Sequence, residues 1–369
     1  MARDLTGAIT QYLSWQGGIY RAHDLTSELQ TPQQRIDYRI EVSAHADADT
    51  VQASWQVLQA EGGGIVWANR LSESSAQFSL TYRRIAEMIG EGALKAIADH
   101  ELHRIGGHGS LELNYAQLVL RAQQLNYLDR EQVVERLGDL KRAIELEPRA
   151  APAHACLAQL LSWQIINGVS NDASRDETTL EEEAKLALKF SPNDPYVLLS
   201  VGTTYSRLRR YESGLGLLRR ALSLAPTVHA KDELARSLCS AGQPEEAVPL
   251  YQEILETMPA GHTFPYVRLA VPLVQMGRLN DALKYSRDGV IHFPEDYYSW
   301  VVHANLLAQL GDVDQAKRAL EEARRLLPNQ QLPLQMIIDR TEATYGRTEA
   351  QRNWLTAGLR GLLEERRGI

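Results

Sequence analysis

Apolar and polar residues alternate along Asp37–Ala46 (DYRIEVSAHA) and again along Asp49–Gln59 (DTVQASWQVLQ). A period of two is that of a strand with one face buried. The phrase Glu61–Gly64 (EGGG) is a hairpin turn by composition and leads into a further strand, Ile65–Leu71. Upstream, Asp4–Leu13 has the spacing of an amphipathic helix and Gly18–Ala22 that of a short strand. From Ser79 to Ala98 the period lengthens, with Ile85, Met88, Ile89, Ala93, Leu94 and Ile97 at helical intervals. These patterns predict a small sheet of three or four strands covered by two or more helices. Leu102–Ser110, with its GGHGS phrase, is the expected hinge, and beyond it the apolar pattern stays helical.

That helical part carries a ladder of prolines. The phrases LEP, FSP, LAP, TMP, HFP and LLP end in Pro148, Pro192, Pro226, Pro259, Pro294 and Pro328, spaced 44, 34, 33, 35 and 34 residues apart. Proline suits the end of a helix because it lacks an N–H and clashes with a preceding turn. Twelve residues before the last four prolines that close a full unit stand Gly214, Ala247, Ala282 and Ala316, small enough for two helices to approach closely. Five residues before stand Ala143, Ala187, Ala221, Gly289 and Ala323, with Ile254 the exception. Seventeen before, Gly242, Gly277 and Gly311 occupy the turn between paired helices, where a positive φ is often needed. Gly202, Tyr205 and Trp300 fit the same pattern without having set its register.

From about Leu111 to Pro328 the chain resembles the tetratricopeptide repeat family, whose unit is a helical hairpin of about 34 residues. The first units depart from it. Leu111–Leu128 and Arg130–Leu146 form a degenerate unit, and the 44-residue spacing implies an elongated loop around Asn167–Thr178. Leu332–Tyr345 and Thr348–Glu365 read as a final hairpin with a solvated, arginine-rich end. The expected fold is α+β: a small α/β domain over residues 1–100, a linker over 101–110, and an all-α tetratricopeptide superhelical solenoid of about six to seven hairpins over 111–365.

The strand region is similar to a second family. The runs Tyr38-Arg-Ile-Glu-Val-Ser, Val51-Gln-Ala-Ser-Trp-Gln-Val-Leu and Gly63-Gly-Ile-Val-Trp-Ala-Asn-Arg resemble, in order, the TolB-amino-terminal-like α/β domain of bacterial signalling proteins. In that family the domain stands between an output domain, a class III nucleotide cyclase or a winged helix, and tetratricopeptide repeats. The family domain usually opens with a strand, whereas here Met1 falls almost on the first helix. Either the chain is cut inside the domain or that strand is supplied elsewhere. A missing strand exposes a sheet edge open to pairing with a second copy. Nothing in the sequence resembles a cyclase or a winged helix.

Charge narrows the partner. Residues 1–100 hold 8 Lys/Arg against 12 Asp/Glu, and the rest hold 31 against 35, for a net charge of −8. Neither part has the basic excess that counterion release rewards, so no direct nucleic-acid contact is expected. Cys156 and Cys239 lie in apolar helical contexts without a CxxC pair, which fits burial and a reducing, cytoplasmic compartment. No apolar run approaches the ~20 residues of a membrane span, and the amino terminus lacks the apolar core of a signal peptide.

Candidate chemistry is sparse. Asp99, His100, His103 and His108 are the densest potential metal ligands, but they equally make a polar helix end, and no metal or cofactor is expected. Gly90-Glu-Gly lies within a helical pattern and lacks phosphate-loop spacing. The run Glu181–Glu183 suits a helix amino terminus better than a catalytic pair. No GxSxG, HExxH or P-loop pattern occurs. The chain therefore reads as non-catalytic. The expected partner is a peptide or protein held on the first helices of the hairpins. Candidate contacts are His229, Asp232 and Arg236, then Phe264 and Val267 (with Val271), then Tyr298 and Asn305 (with Val301). For each, packing between units is the competing use. The alternative function is a small-molecule sensor with its ligand between the α/β domain and the first repeats, Asn167–Thr178 serving as a lid.

Overall fold

In the computed structural model the described residues are 5, 8–11, 13, 37–46, 50–74, 78–123, 130–166, 168–257, 264–326, 335–336, 338–339 and 356–367. The strand expected at Gly18–Ala22 and most of the expected Leu332–Tyr345 helix lie outside them. The fold is α+β, an antiparallel sheet region followed by helical hairpins. The chain divides into two compact units, Met1–Thr227 and Val228–Ile369.

In the first unit, β1 (Tyr38–Ala46), β2 (Thr50–Gln59) and β3 (Ile65–Ser74) form an antiparallel sheet in the order β1-β2-β3. The alternation is kept. Val51, Ala53, Trp55 and Val57 are buried on one face of β2, while Gln52 and Ser54 face out. The Glu61–Gly64 turn closes with Gln59 N–H donating to Gly64 O at 2.9 Å. Leu5, Ile9 and Leu13, in helical residues near the amino terminus, join the same core.

Helix α1 (Phe78–Ile105) is longer at its carboxyl end than its apolar pattern predicts. Its Ile85, Ala86 and Ile89 pack on the sheet, whereas Leu102 and Ile105 pack with the first hairpins. The expected hinge is thus shortened, because Ile105 has a second core to enter. Gly92 explains the glycine phrase of this helix: a Cβ there would meet the Trp67 indole, with Trp67 Cζ2 at 3.3 Å. The glycine lets an aromatic ring lie on the helix and has no bearing on phosphate.

Three hairpins complete the unit: α2 (Tyr115–Gln123) with α3 (Arg130–Leu146), α4 (Ala151–Ile166) with α5 (Ala173–Phe190), and α6 (Pro195–Arg207) with α7 (Tyr211–Leu224). The loop expected over Asn167–Thr178 is corrected. Asp172 caps α5 by accepting from Arg175 N–H at 3.1 Å, so from Ala173 on the extra residues lengthen a helix. Of the described residues in that range, only those before Asp172 remain as loop.

The second unit pairs α8 (Val228–Ala241) with α9 (Pro244–Thr257), α10 (Phe264–Gln275) with α11 (Leu279–His292), and α12 (Tyr297–Gln309) with α13 (Val313–Arg325). Helix α14 (Ala357–Arg367) then packs on α12. Gly358 permits that approach, since a Cβ there would collide with the Asn305 carbonyl and lie 2.9 Å from Gln309 N.

The proline register is physical. The residue before the proline ends a helix by donating its N–H back, Ser191 to Ala187 O at 3.0 Å and Phe293 to Gly289 O at 2.9 Å. Two residues after the proline, Asp194 and Asp296 cap the next helix, accepting from Tyr196 N–H at 2.8 Å and Ser299 N–H at 3.0 Å. The small residues of the register, Ala143, Ala187, Ala247, Ala282, Ala316 and Ala323, have no exposed surface. At the turn position Gly242, Gly277 and Gly311 have φ of 79°, 72° and 87°, and Arg209 takes the same place with φ 64°.

Candidate functional site

Helix α8 carries three consecutive charged residues, Lys231, Asp232 and Glu233, all buried. Charges out of water must be paired, and each has its own partner. Lys231 Nζ donates to Glu253 Oε1 of α9 at 2.5 Å, Asp232 pairs with Arg268 of α10, and Glu233 pairs with Arg236 one turn on. Burial works against the charge on Arg236, but the Glu233 and Asp232 carboxylates outweigh it and push the guanidinium pKa up. Gln275 Nε2 donates to Cys239 O at 3.2 Å, a second tie between α8 and α10. The helix is therefore held in one orientation by polar contacts as well as apolar ones.

Among the residues picked out by periodicity, His229, Asp232 and Arg236 share this face. His229 is exposed, Arg236 half-buried and Asp232 buried, with its Oδ1 unmatched by any hydrogen-bond donor among the described residues. The others are distributed differently. Val267 is buried and lies against Gly289 of α11, and Asn305 is buried with Oδ1 accepting from Leu359 N–H of α14 at 3.3 Å. Both face neighbouring helices of their own unit rather than solvent, as does Val271. Tyr298 is half-buried, its ring 6.4 Å from that of Tyr297. Phe264 begins α10, and its side chain lies outside the described residues. Arg268, absent from the periodic reading, is the residue that completes the α8 set; only its long side chain reaching across to α8 reveals it.

Polar and apolar side chains meet at the junction of the sheet with the first hairpins. Tyr38 donates to Glu101 Oε1 at 2.5 Å, so its oxygen accepts from His100 Nδ1 at 2.8 Å. Glu101 also accepts from Arg104 at 2.5 Å and Gln117 of α2 at 3.4 Å. Burial alone raises the Glu101 pKa; the donors Arg104, Tyr38 and Gln117 reverse this and hold it low. Beyond α1, Arg121 Nε donates to the fully buried Asp139 at 2.8 Å, and its Nη1 to His108 O at 2.7 Å. Leu102, Ile105, Leu113 and Leu118 occupy the apolar space. Much of the segment read as a lid belongs to α5.

His100 is engaged by Tyr38, and His108 Nδ1 lies 3.0 Å from Ile105 O. Among the described residues no group of three or more His, Cys, Asp or Glu is placed to hold a metal. The Glu181–Glu183 run makes clasps: Glu181 pairs with Arg210 and Glu183 with His154. Cys156 and Cys239 are both buried free thiols, and burial pushes their pKa values up. No described helix is long and apolar enough to cross a membrane.

Comparison with known proteins identifies the repeats. Two tetratricopeptide repeat models match, one over residues 227–258 and one over residues 297–329. A search of the curated proteins finds no match. Among solved structures, the chain is similar to pilF of Pseudomonas aeruginosa at 16% identity, over 68% of this chain and 97% of that one, with a TM-score of 0.44. It is similar to a tetratricopeptide repeat protein of Parabacteroides merdae at 17% identity, over 67% and 98%, with a TM-score of 0.42. It is also similar to YrrB, described as a TPR protein with an unusual peptide-binding site, at 18% identity over 52% and 93%, with a TM-score of 0.37. Structural likenesses this distant carry no functional argument. The matched repeats do: tetratricopeptide repeats are generally non-catalytic modules of protein–protein interaction.

Proposed function

We propose that this chain is the regulatory interaction module of a bacterial signalling or transcriptional regulatory protein, working in the cytoplasm, and that it holds a peptide or protein segment on the first helices of its second unit. The supporting observation is the fixed charged face of α8, where Asp232, Arg236 and the added Arg268 stand beside exposed His229. A surface already ordered by its own ion pairs costs a partner little to engage. Tyr298, half-buried near the start of α12, is a further candidate contact, while Val267 and Asn305 are buried among helices. The edge of the three-stranded sheet is the surface on which two copies would pair. The rival reading, a sensor with its ligand at the sheet–hairpin junction, has against it the side chains that occupy that space.

A pull-down from lysate of the native source, read by mass spectrometry, tests the proposal. The native chain is compared with His229→Ala/Arg236→Ala, which spares buried Asp232. A protein retained by the native chain and lost by an equally stable variant is the expected result. Equal retention by both, or no protein retained by folded bait, would overturn it.

A further inference from the structure

The hairpin α12/α13 carries a second surface, built from residues other than the α8 set. An open depression of about 440 Å³ is lined by Trp300, His303 and Leu307 of α12 and by Gln315, Arg318, Ala319, Glu321 and Glu322 of α13. Its volume lies within the ~300–1,000 Å³ of small-ligand sites.

The chemistry of its floor follows from a count of protons. Ser286 Oγ donates its single proton to Leu283 O at 3.0 Å, so toward His303 Nδ1, at 2.9 Å, the same oxygen accepts. The arrangement that satisfies both contacts puts the ring hydrogen on Nδ1. Burial and the nearby Arg287 push the His303 pKa down to about 4, so the ring is neutral at ordinary pH. Its Nε2 is then a bare lone pair, and it has no hydrogen-bond partner among the described residues. His303 itself is nine-tenths buried, at 9% exposure. Trp300 Nε1–H is used on Pro294 O at 2.9 Å, which pins the indole beside the imidazole, the two rings 6.4 Å apart and edge-on. Leu307 and Ala319 complete apolar walls.

We propose that this depression receives a tyrosine side chain from a peptide partner, with the ring against Trp300, Leu307 and Ala319 and the phenol donating to His303 Nε2. A carboxylate has no proton for that nitrogen. A phenylalanine leaves it covered and unmatched, which is costly for a buried acceptor. A lysine would be drawn to the Glu321 and Glu322 carboxylates of the same lining, which makes it the strongest competitor. Tyrosine joins an apolar body to a polar donor. The choice of a peptide as carrier rests on the interaction-module reading; the phenol site itself is tested without any partner.

The full chain, ¹⁵N-labelled at histidine and tryptophan, is titrated with N-acetyl-tyrosinamide, N-acetyl-phenylalaninamide and N-acetyl-lysinamide. The ring nitrogens of His303 and the Trp300 indole signal are followed. Tyrosinamide is expected to shift both saturably and to bind at least about fivefold tighter than phenylalaninamide. Ser286→Ala frees the imidazole to carry its proton on Nε2, and is expected to erase the preference for tyrosine while the fold, read by the remaining resonances, persists. Equal affinity for tyrosinamide and phenylalaninamide, tighter binding of lysinamide, or no saturable shift would each overturn the proposal, and none of these results depends on the α8 surface.

Discussion

The hairpins α4/α5 and α12/α13 each bury a histidine in their first helix and leave it in opposite states. In α4, His154 faces an acceptor from both nitrogens: Nδ1 lies 2.5 Å from the Glu183 carboxylate and Nε2 3.0 Å from Pro148 O. Burial opposes the charge, but the carboxylate and carbonyl outweigh it and raise the pKa. In α12, His303 meets one hydroxyl and an arginine, and its pKa falls to about 4. A repeat prescribes where a backbone runs. It does not prescribe protonation, which is decided by what the second helix and the neighbouring turn present to the ring.

The largest expected effect tests the neutral member. Because His303 titrates in the unfolded chain near 6.5 and in the folded one near 4, the unfolded state binds more protons in between. Stability should fall by about 3 kcal/mol as pH drops from 6.5 to 4, relative to a His303→Phe chain, in urea unfolding at each pH. An identical acid limb in both chains would remove the contrast. For His154 the sign reverses, since its folded pKa is raised: its contribution is complete below the unfolded value and is lost as pH rises through the folded one. Glu183→Leu should cost about 2 kcal/mol at pH 6 and progressively less in alkali. A cost that stays constant across that range would show that His154 is not a cation. The smallest effect concerns the turns. Gly168 and Gly311 close these two hairpins at φ 64° and 87°, while Arg209 holds the same left-handed region after α6. Arg209→Gly should raise stability by about 0.5–1 kcal/mol, read by thermal melting, without moving either histidine titration.

Much of this architecture is visible in the sequence because it is repeated. Pro192 and Pro294 recur with aspartates that cap the next helix, and Ala247, Ala282 and Ala316 recur where helices touch. The sheet is legible because a period of two survives in β1 and β2. What escaped depends on contacts that no period encodes. Helix α5 starts at Ala173 because Asp172 caps it, although its composition is that of a loop. Asn305 accepts a hydrogen bond from α14, and a regular spacing along α12 cannot tell such packing from contact with a partner. Arg268 joins Asp232 across 36 residues, and the bare nitrogen of His303 emerges only once the proton of Ser286 is followed.

The first half of α1 belongs to the core of the sheet and its last turn to the core of the hairpins, and α-helical order is cooperative along its length. Two cores that share a single uninterrupted helix are not free to melt apart. Amides near Ile89 and near Leu102 should therefore exchange with deuterium through the same opening event, and a cut anywhere between them would strand apolar surface on both products.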